Sequence, residues 1–239
     1  MEHPRRDPDI ARAARLIASA SRAHMLKALS GGRPLAASVH LRRLTEAGLV
    51  VGEQRGRHHY YRLASAEVSA ALEALAVVAP AVPAPVASLR VGSRENALRR
   101  SRTCYDHLAG SLGVGLMETF VSQGLLTGVP KTEEDGRGDD LPAAYGRALE
   151  YHLTGTGGEV FGRFGIDVAH LSTGRRPVVR YCVDWSERRH HLAGGLGAAL
   201  TGRFFTLDWL RYGVSPRVVH LTETGRRGLV DTFSFEAPA

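Results

Sequence analysis

The spacing of apolar positions changes repeatedly between Ala36 and Leu75, and each change predicts an element. Ala37, Leu41 and Leu44 recur at helical spacing, so Ser38, Val39, Arg42 and Arg43 point away from their stripe. Gly48 stands where a helix commonly stops, in the left-handed cap position. Leu49, Val50 and Val51 then begin a strand, and Tyr60, Tyr61 and Leu63 end a second one. Between them the polar turn Glu53-Gln54-Arg55-Gly56-Arg57 predicts a β-hairpin with a loop of several residues. Ser65 with Glu67 marks a helix start over residues 65–78, where Val68, Leu72 and Leu75 form a stripe. Upstream, residues 9–30 carry Ile10, Ala14, Leu16, Ile17, Met25, Leu26 and Leu29 at roughly helical spacing. Ser21-Arg22 reads there as the N-cap of a second helix.

A short basic helix running straight into a basic hairpin is the layout of a winged helix, with the helix for a DNA major groove and the hairpin for the neighbouring backbone or minor groove. Ala79 to Pro85 follows as a proline-punctuated, extended connector. The remainder contains a degenerate repeat. His107 to Leu116 (HLAGSLGVGL) matches His191 to Leu200 (HLAGGLGAAL), and each copy follows a cysteine with an aspartate two residues on. Further along, His152-Leu153-Thr154 and His220-Leu221-Thr222 echo one another. Two copies make a paired domain, too few for a solenoid. The expected fold class is therefore mainly α with small β-hairpins (α+β). A winged helix-turn-helix domain occupies residues 1–78 and a linker residues 79–101. Two duplicated winged-helix-like lobes, at about 102–167 and 180–235, fill residues 102–239, and Lys131 to Asp140 is a polar insertion in the first.

Charge sharpens this picture. Residues 1–64 carry 12 Lys+Arg against 5 Asp+Glu, whereas residues 65–239 carry 19 of each sign. The whole formal charge of +7 thus lies beside the basic helix, a local footprint for a polyphosphate. Arginine supplies most of it, which suits forked contacts to phosphate and guanine. The sequence is 44% hydrophobic, ample for packed cores, yet no apolar run approaches a membrane span. The N-terminus MEHPRRDPDI has no apolar signal segment, so a cytoplasmic protein without membrane contact is expected. Two cysteines do not make a disulfide framework.

The stretch SVHLRRLTEAGLVVGEQRGRHHYYRL resembles the recognition helix and wing of the ArsR/SmtB family of winged-helix repressors. The C-terminal half is similar to that of longer ArsR regulators with the "TCYDHLAG" signature. The resemblance implies a homodimeric repressor, paired through the first helix and the helix at 65–78, on an imperfect palindrome of double-stranded DNA. On this pattern Ser38, Val39 and Arg42 lie nearest base edges and His40 and Arg43 face the backbone. Arg55 and Arg57 on the wing meet phosphate or the minor groove, and Arg22 reaches a phosphate or faces water. One departure stands out. The family places a positioning helix, about a dozen residues, before the reading helix. Here Gly31-Gly32-Arg33-Pro34-Leu35 passes directly into Ala36. Either the chain does without that helix or the sequence is interrupted there. The second is expected, because residues 37–44 would otherwise lose cover for their apolar side.

The C-terminal half, with no net charge to draw it to DNA, would hold the effector, a small molecule or an ion. Cys104, His107, Cys182, Asp184, His190 and His191 have donors and spacings suited to zinc, copper or nickel. No cysteine lies in residues 1–101, so the family's usual metal site is missing. Alternatively Cys104 and Cys182 form a thiol sensor, or Cys104, Tyr105, His107, Tyr181, Cys182 and Trp185 border an organic effector pocket between the lobes. In a purely structural reading the cysteines are small buried residues, Asp106 and Asp184 are caps, and both histidines are hydrogen-bonded in the core. A winged helix that docks proteins instead of DNA is a further alternative. Catalysis is not expected. The Cys–His–Asp trio occurs twice, and no P-loop, dinucleotide fingerprint or HExxH is present.

Overall fold

The computed structural model describes residues 10–29, 39–55, 58–79, 89–130, 149–214 and 217–238. Ser38, Arg57, the stretch Gly31 to Ala36, the connector Pro80 to Pro85 and the insertion Lys131 to Asp140 lie outside them, as does the Arg55 side chain. The N-terminal third contains α1 (Ile10–Ile17), α2 (Ala20–Leu29), α3 (Val39–Glu46), β1 (Val50–Arg55), β2 (His58–Leu63) and α4 (Ala66–Val78). Leu26 and Leu29 of α2, Leu41 and Leu44 of α3, Val50 and Leu63 form its core, each at most 1% exposed. Of the predicted α3 stripe, Leu41 and Leu44 are buried against α2 and the hairpin. Ala37 and the junction before Ala36, where an interruption of the sequence was expected, lie outside the described residues.

Boundaries shift in two places. α2 begins at Ala20, before the expected Ser21-Arg22 cap. The hairpin strands run to Arg55 and His58, whose backbones pair, so only two residues separate them where a longer loop was expected. Tyr61 lies opposite Gly52, where its ring fills the space a glycine leaves, and this cross-strand contact extends the ladder. Ser65 caps α4 by accepting from the Val68 backbone N–H, as predicted.

The segment expected as linker is partly helical, with α5 at Leu89–Arg100. Beyond it come β3 (Arg102–Cys104), β4 (His107–Ala109), α6 (Ser111–Ser122), β5 (Leu126–Pro130), β6 (Leu149–Leu153), α7 (Gly155–Arg163) and α8 (Val168–Thr173). The second copy comprises β7 (Arg180–Val183), β8 (His190–Ala193), α9 (Gly194–Thr206), β9 (Leu210–Tyr212), β10 (Val219–Leu221) and α10 (Glu223–Phe233). Among the described residues, five sheets form, each an antiparallel strand pair.

One backbone plan recurs three times. After α3, Gly48 takes φ +71° and the Leu49 N–H returns to the Leu44 carbonyl. After α6, Gly124 takes φ +67° and Leu125 returns to Phe120. After α9, Asp208 takes φ +56° and Trp209 returns to Phe204. A hairpin and a helix capped by Ser65, Thr154 or Thr222 follow in turn. Helix, wing and capped helix thus form a winged-helix-like unit in each lobe, and α6 and α9 stand where α3 stands. Their surroundings differ. Leu112, Leu116, Met117 and Phe120 of α6 and Leu196, Leu200 and Phe204 of α9 are buried in the second core. α6 and α9 expose few positions, among them Val121, Ser122, Gly202 and Thr206, whereas α3 exposes Val39, Arg42, Arg43, Thr45 and Glu46.

The two lobes exchange hairpins. β8 packs on α6, β4 packs on α9, and the two hairpins touch. Gly113 and Gly197 sit where each helix meets its own hairpin closely: a Cβ at Gly113 would lie 2.5 Å from the Leu108 carbonyl oxygen, and one at Gly197 2.7 Å from that of Leu192 and 3.3 Å from His107 Cβ of the other hairpin. Gly113→Ala is expected to cost about 1–3 kcal/mol by overpacking. Gly202→Ala, on α9 with open space around it, should be neutral or gain up to about 1 kcal/mol from helix propensity. Urea unfolding of the two variants checks the contrast, and equal stabilities would contradict the close packing of α6 on β4.

Candidate functional site

α3 is amphipathic in the sense a reading helix needs. Leu41 and Leu44 anchor it, while Val39 is 65% exposed and Arg42 and Arg43 face solvent. Arg42 makes only a surface pair with Glu46, Nε to Oε1 at 3.4 Å. His40 is half-buried. Beside α3 runs a cleft of about 340 Å³ lined by Arg12, Arg15, Leu16, Arg22, Arg43 and Glu46. Arg22 is committed elsewhere. It reaches back to the carbonyls of Leu16 and Arg15, satisfying orphan acceptors at the end of α1.

The cysteine and histidine candidates divide sharply. Cys104 and His107 are direct cross-strand partners on β3 and β4, and Cys182 and His191 hold the same relation on β7 and β8. Exchange of the hairpins brings all four together, with their donor atoms within 4.8 Å of one another. The two imidazoles stack with centroids 5.3 Å apart. His107 Nδ1 lies 3.2 Å from Asp106 Oδ1, and Arg176 clamps that carboxylate with both of its terminal nitrogens. Burial works to raise the Asp106 pKa, but hydrogen bonds from His107 and Arg176 hold it down at about 2. The adjacent Cys182 thiol and burial push the Cys104 thiol well up, and burial pushes the His191 imidazole well down.

His190 and Asp184 stand outside the cluster. His190 Nδ1 is 2.9 Å from the Tyr151 hydroxyl, and Asp184 is enclosed in an ion-pair network. Asp184 does cap its turn, accepting from the Ser186 and Glu187 N–H groups. The expectation of fully hydrogen-bonded core histidines is not met. His107 Nε2 and both ring nitrogens of His191 are buried without a hydrogen-bond partner. Tyr105, Tyr181 and Trp185 do not face a common space. Tyr105 packs on the N-terminal core, Tyr181 on Tyr151 and His190, and Trp185 under Lys27, Arg99 and Arg102. Between α6 and α9 the cavity is only about 20 Å³, room for one water, because Leu116, Phe120, Leu200 and Phe204 fill it.

A protein of Bacillus subtilis (strain 168), described as the uncharacterized HTH-type transcriptional regulator YdfF, is 35% identical over 234 residues. The match covers 92% of this chain and 95% of that relative, and so spans the winged helix and both lobes. The chain belongs to the HTH-type transcriptional regulators. No protein-family model matches it, and no solved structure matches it significantly. A DNA-binding regulator agrees with the charge footprint and with the expectation of no catalytic role. Among the described residues no helix is long and apolar enough to cross a membrane.

The regulator also contains a buried polar network that sequence reasoning missed. Arg102, fully buried, donates to Asp184 Oδ2 at 2.8 Å and to Ser186 Oγ at 3.3 Å, and lies 3.5 Å from Glu73 Oε2. Arg217 closes the network onto Glu73 Oε1 and donates to the Thr103 carbonyl. Burial works to raise the Asp184 pKa, yet the Arg102 guanidinium and the Ser186 hydroxyl hold it well below the usual carboxylate range. Ser69, one turn before Glu73, lies 3.8 Å from the Cys104 sulfur. Helix α4 of the N-terminal third is therefore joined to both lobes through one polar face. The available signal was Ser69 and Glu73 at i, i+4 within a helix that is apolar after its first turn.

Proposed function

We propose that the regulator is an ArsR-like homodimeric repressor whose α3 and wing read an imperfect palindrome, and that an effector in the C-terminal half controls it. The open outer face of α3 carries this reading: of the three helix–wing units it is the copy left most exposed, and Arg42 and Arg43 lie on that face. Val39 and Arg42, with Ser38, contact base edges; His40, Arg43, Arg55 and Arg57 serve the backbone and minor groove. The arginine-lined cleft beside α3 suits a neighbouring phosphate. Dimerisation through α1 and α4 is supported by exposed Ile10, Leu75 and Val78. Val68 and Leu72, by contrast, pack within their own subunit.

Fluorescence anisotropy with DNA from upstream of the regulator's own gene, repeated across a salt series, tests the reading. Affinity should fall steeply with salt as counterions are released. Arg57→Ala should weaken all sequences alike and reduce the logarithmic salt slope by about one. Binding that ignores salt would mark the winged helix as a protein-docking platform instead.

A further inference from the structure

We propose that Cys104, His107, Cys182 and His191 form a closed tetrahedral site for a thiophilic divalent ion of the zinc class, held between the two exchanged hairpins. The proposal does not require that α3 bind DNA. Two sulfurs and two imidazole nitrogens are a donor set that zinc accepts, and a closed four-ligand shell is the form of a structural site. Each hairpin offers one cross-strand Cys–His pair, and the packing of β4 against β8 faces the pairs toward each other. The donor atoms, within 4.8 Å of one another, need only a modest contraction to meet zinc–sulfur bonds of about 2.3 Å and zinc–nitrogen bonds of about 2.0–2.1 Å.

Three further observations point to a ligand. First, His107 Nε2 and both His191 ring nitrogens are buried and lack hydrogen-bond partners, an arrangement native cores avoid. Second, a carboxylate stands on the Nδ1 side of each ring: Asp106 Oδ1 at 3.2 Å from His107 and Asp184 Oδ2 at 3.8 Å from His191. A carboxylate there orients an imidazole so that Nε2 can bind a metal. Third, both copies of the repeat keep the cysteine and histidine opposite each other although the turns between them differ, Tyr105-Asp106 in one and Val183 to His190 in the other. Cys182 is half-buried where Cys104 is enclosed, which gives an ion a side from which to enter. Binding displaces two thiol protons, so the paired thiolates neutralise the divalent charge in a dry site.

The test uses the full chain, reduced and purified without chelator after growth with zinc. Elemental analysis should give one zinc per chain. Cobalt added to the metal-free protein should produce the visible bands of a tetrahedral ion together with thiolate-to-metal charge transfer. Cys104→Ser and Cys182→Ser should each lose about half of the charge-transfer intensity. His107→Gln and His191→Gln should weaken zinc binding by at least about 100-fold, the upper end of what loss of an outer-shell partner costs. On the wild-type chain, which needs no substitution to fold, zinc should slow alkylation of Cys182. The proposal is overturned if the folded wild-type chain takes up neither zinc nor cobalt, if zinc leaves Cys182 alkylation unchanged, or if the four variants bind as it does.

Discussion

Replacing Arg102 with methionine lowers the stability of the folded chain by about 3–5 kcal/mol, the usual cost of removing one partner from a buried ion pair. The side chain is fully enclosed, and its guanidinium faces Asp184 and Glu73 while the Trp185 ring lies 4.8 Å from it. Methionine fills much of the volume but leaves Asp184 buried with only the Gly110 N–H and the Ser186–Glu187 turn to support its charge. Glu73 fares better because Arg217 remains. Adding Asp184→Asn to Arg102→Met should therefore recover part of the loss, and a double-mutant cycle would read the coupling directly. Urea unfolding monitored by circular dichroism is the measurement. A loss below about 1 kcal/mol would mean that the network is solvated and does not tie α4 to the lobes.

The second large effect separates binding from folding. Arg42→Ala is expected to reduce operator affinity by about 1–3 kcal/mol, roughly 5- to 150-fold, and to relax one base preference. The same substitution should leave stability within about 0.5 kcal/mol, because its pair with Glu46 is an exposed i, i+4 contact. Anisotropy on the operator and on a scrambled duplex at one salt concentration distinguishes lost readout from lost charge. Unchanged operator affinity would remove Arg42 from the interface.

Local patterning determined much of this protein. The stripe of α3, the left-handed stop at Gly48, the hairpin after it and the Ser65 cap depend on neighbours a few residues away, so spacing alone reveals them. The repeat was legible for the same reason, and Thr154 and Thr222 do cap helices in equivalent places. Charge placement singled out the N-terminal third because a surplus of arginine is a property of the sequence, whatever the fold.

Tertiary structure decided which side chains meet. Six metal candidates were indistinguishable by spacing; four converge because the hairpins are exchanged between lobes, while Asp184 and His190 turn to other partners. The same exchange packs leucine and phenylalanine where an effector pocket was expected. Arg102 carries no local mark of burial, since a three-residue strand can place an arginine in solvent or in the core with equal ease. Its partners are 29 and 82 residues away, and contacts at that range are set by packing of the whole chain, beyond the reach of any periodicity in the sequence.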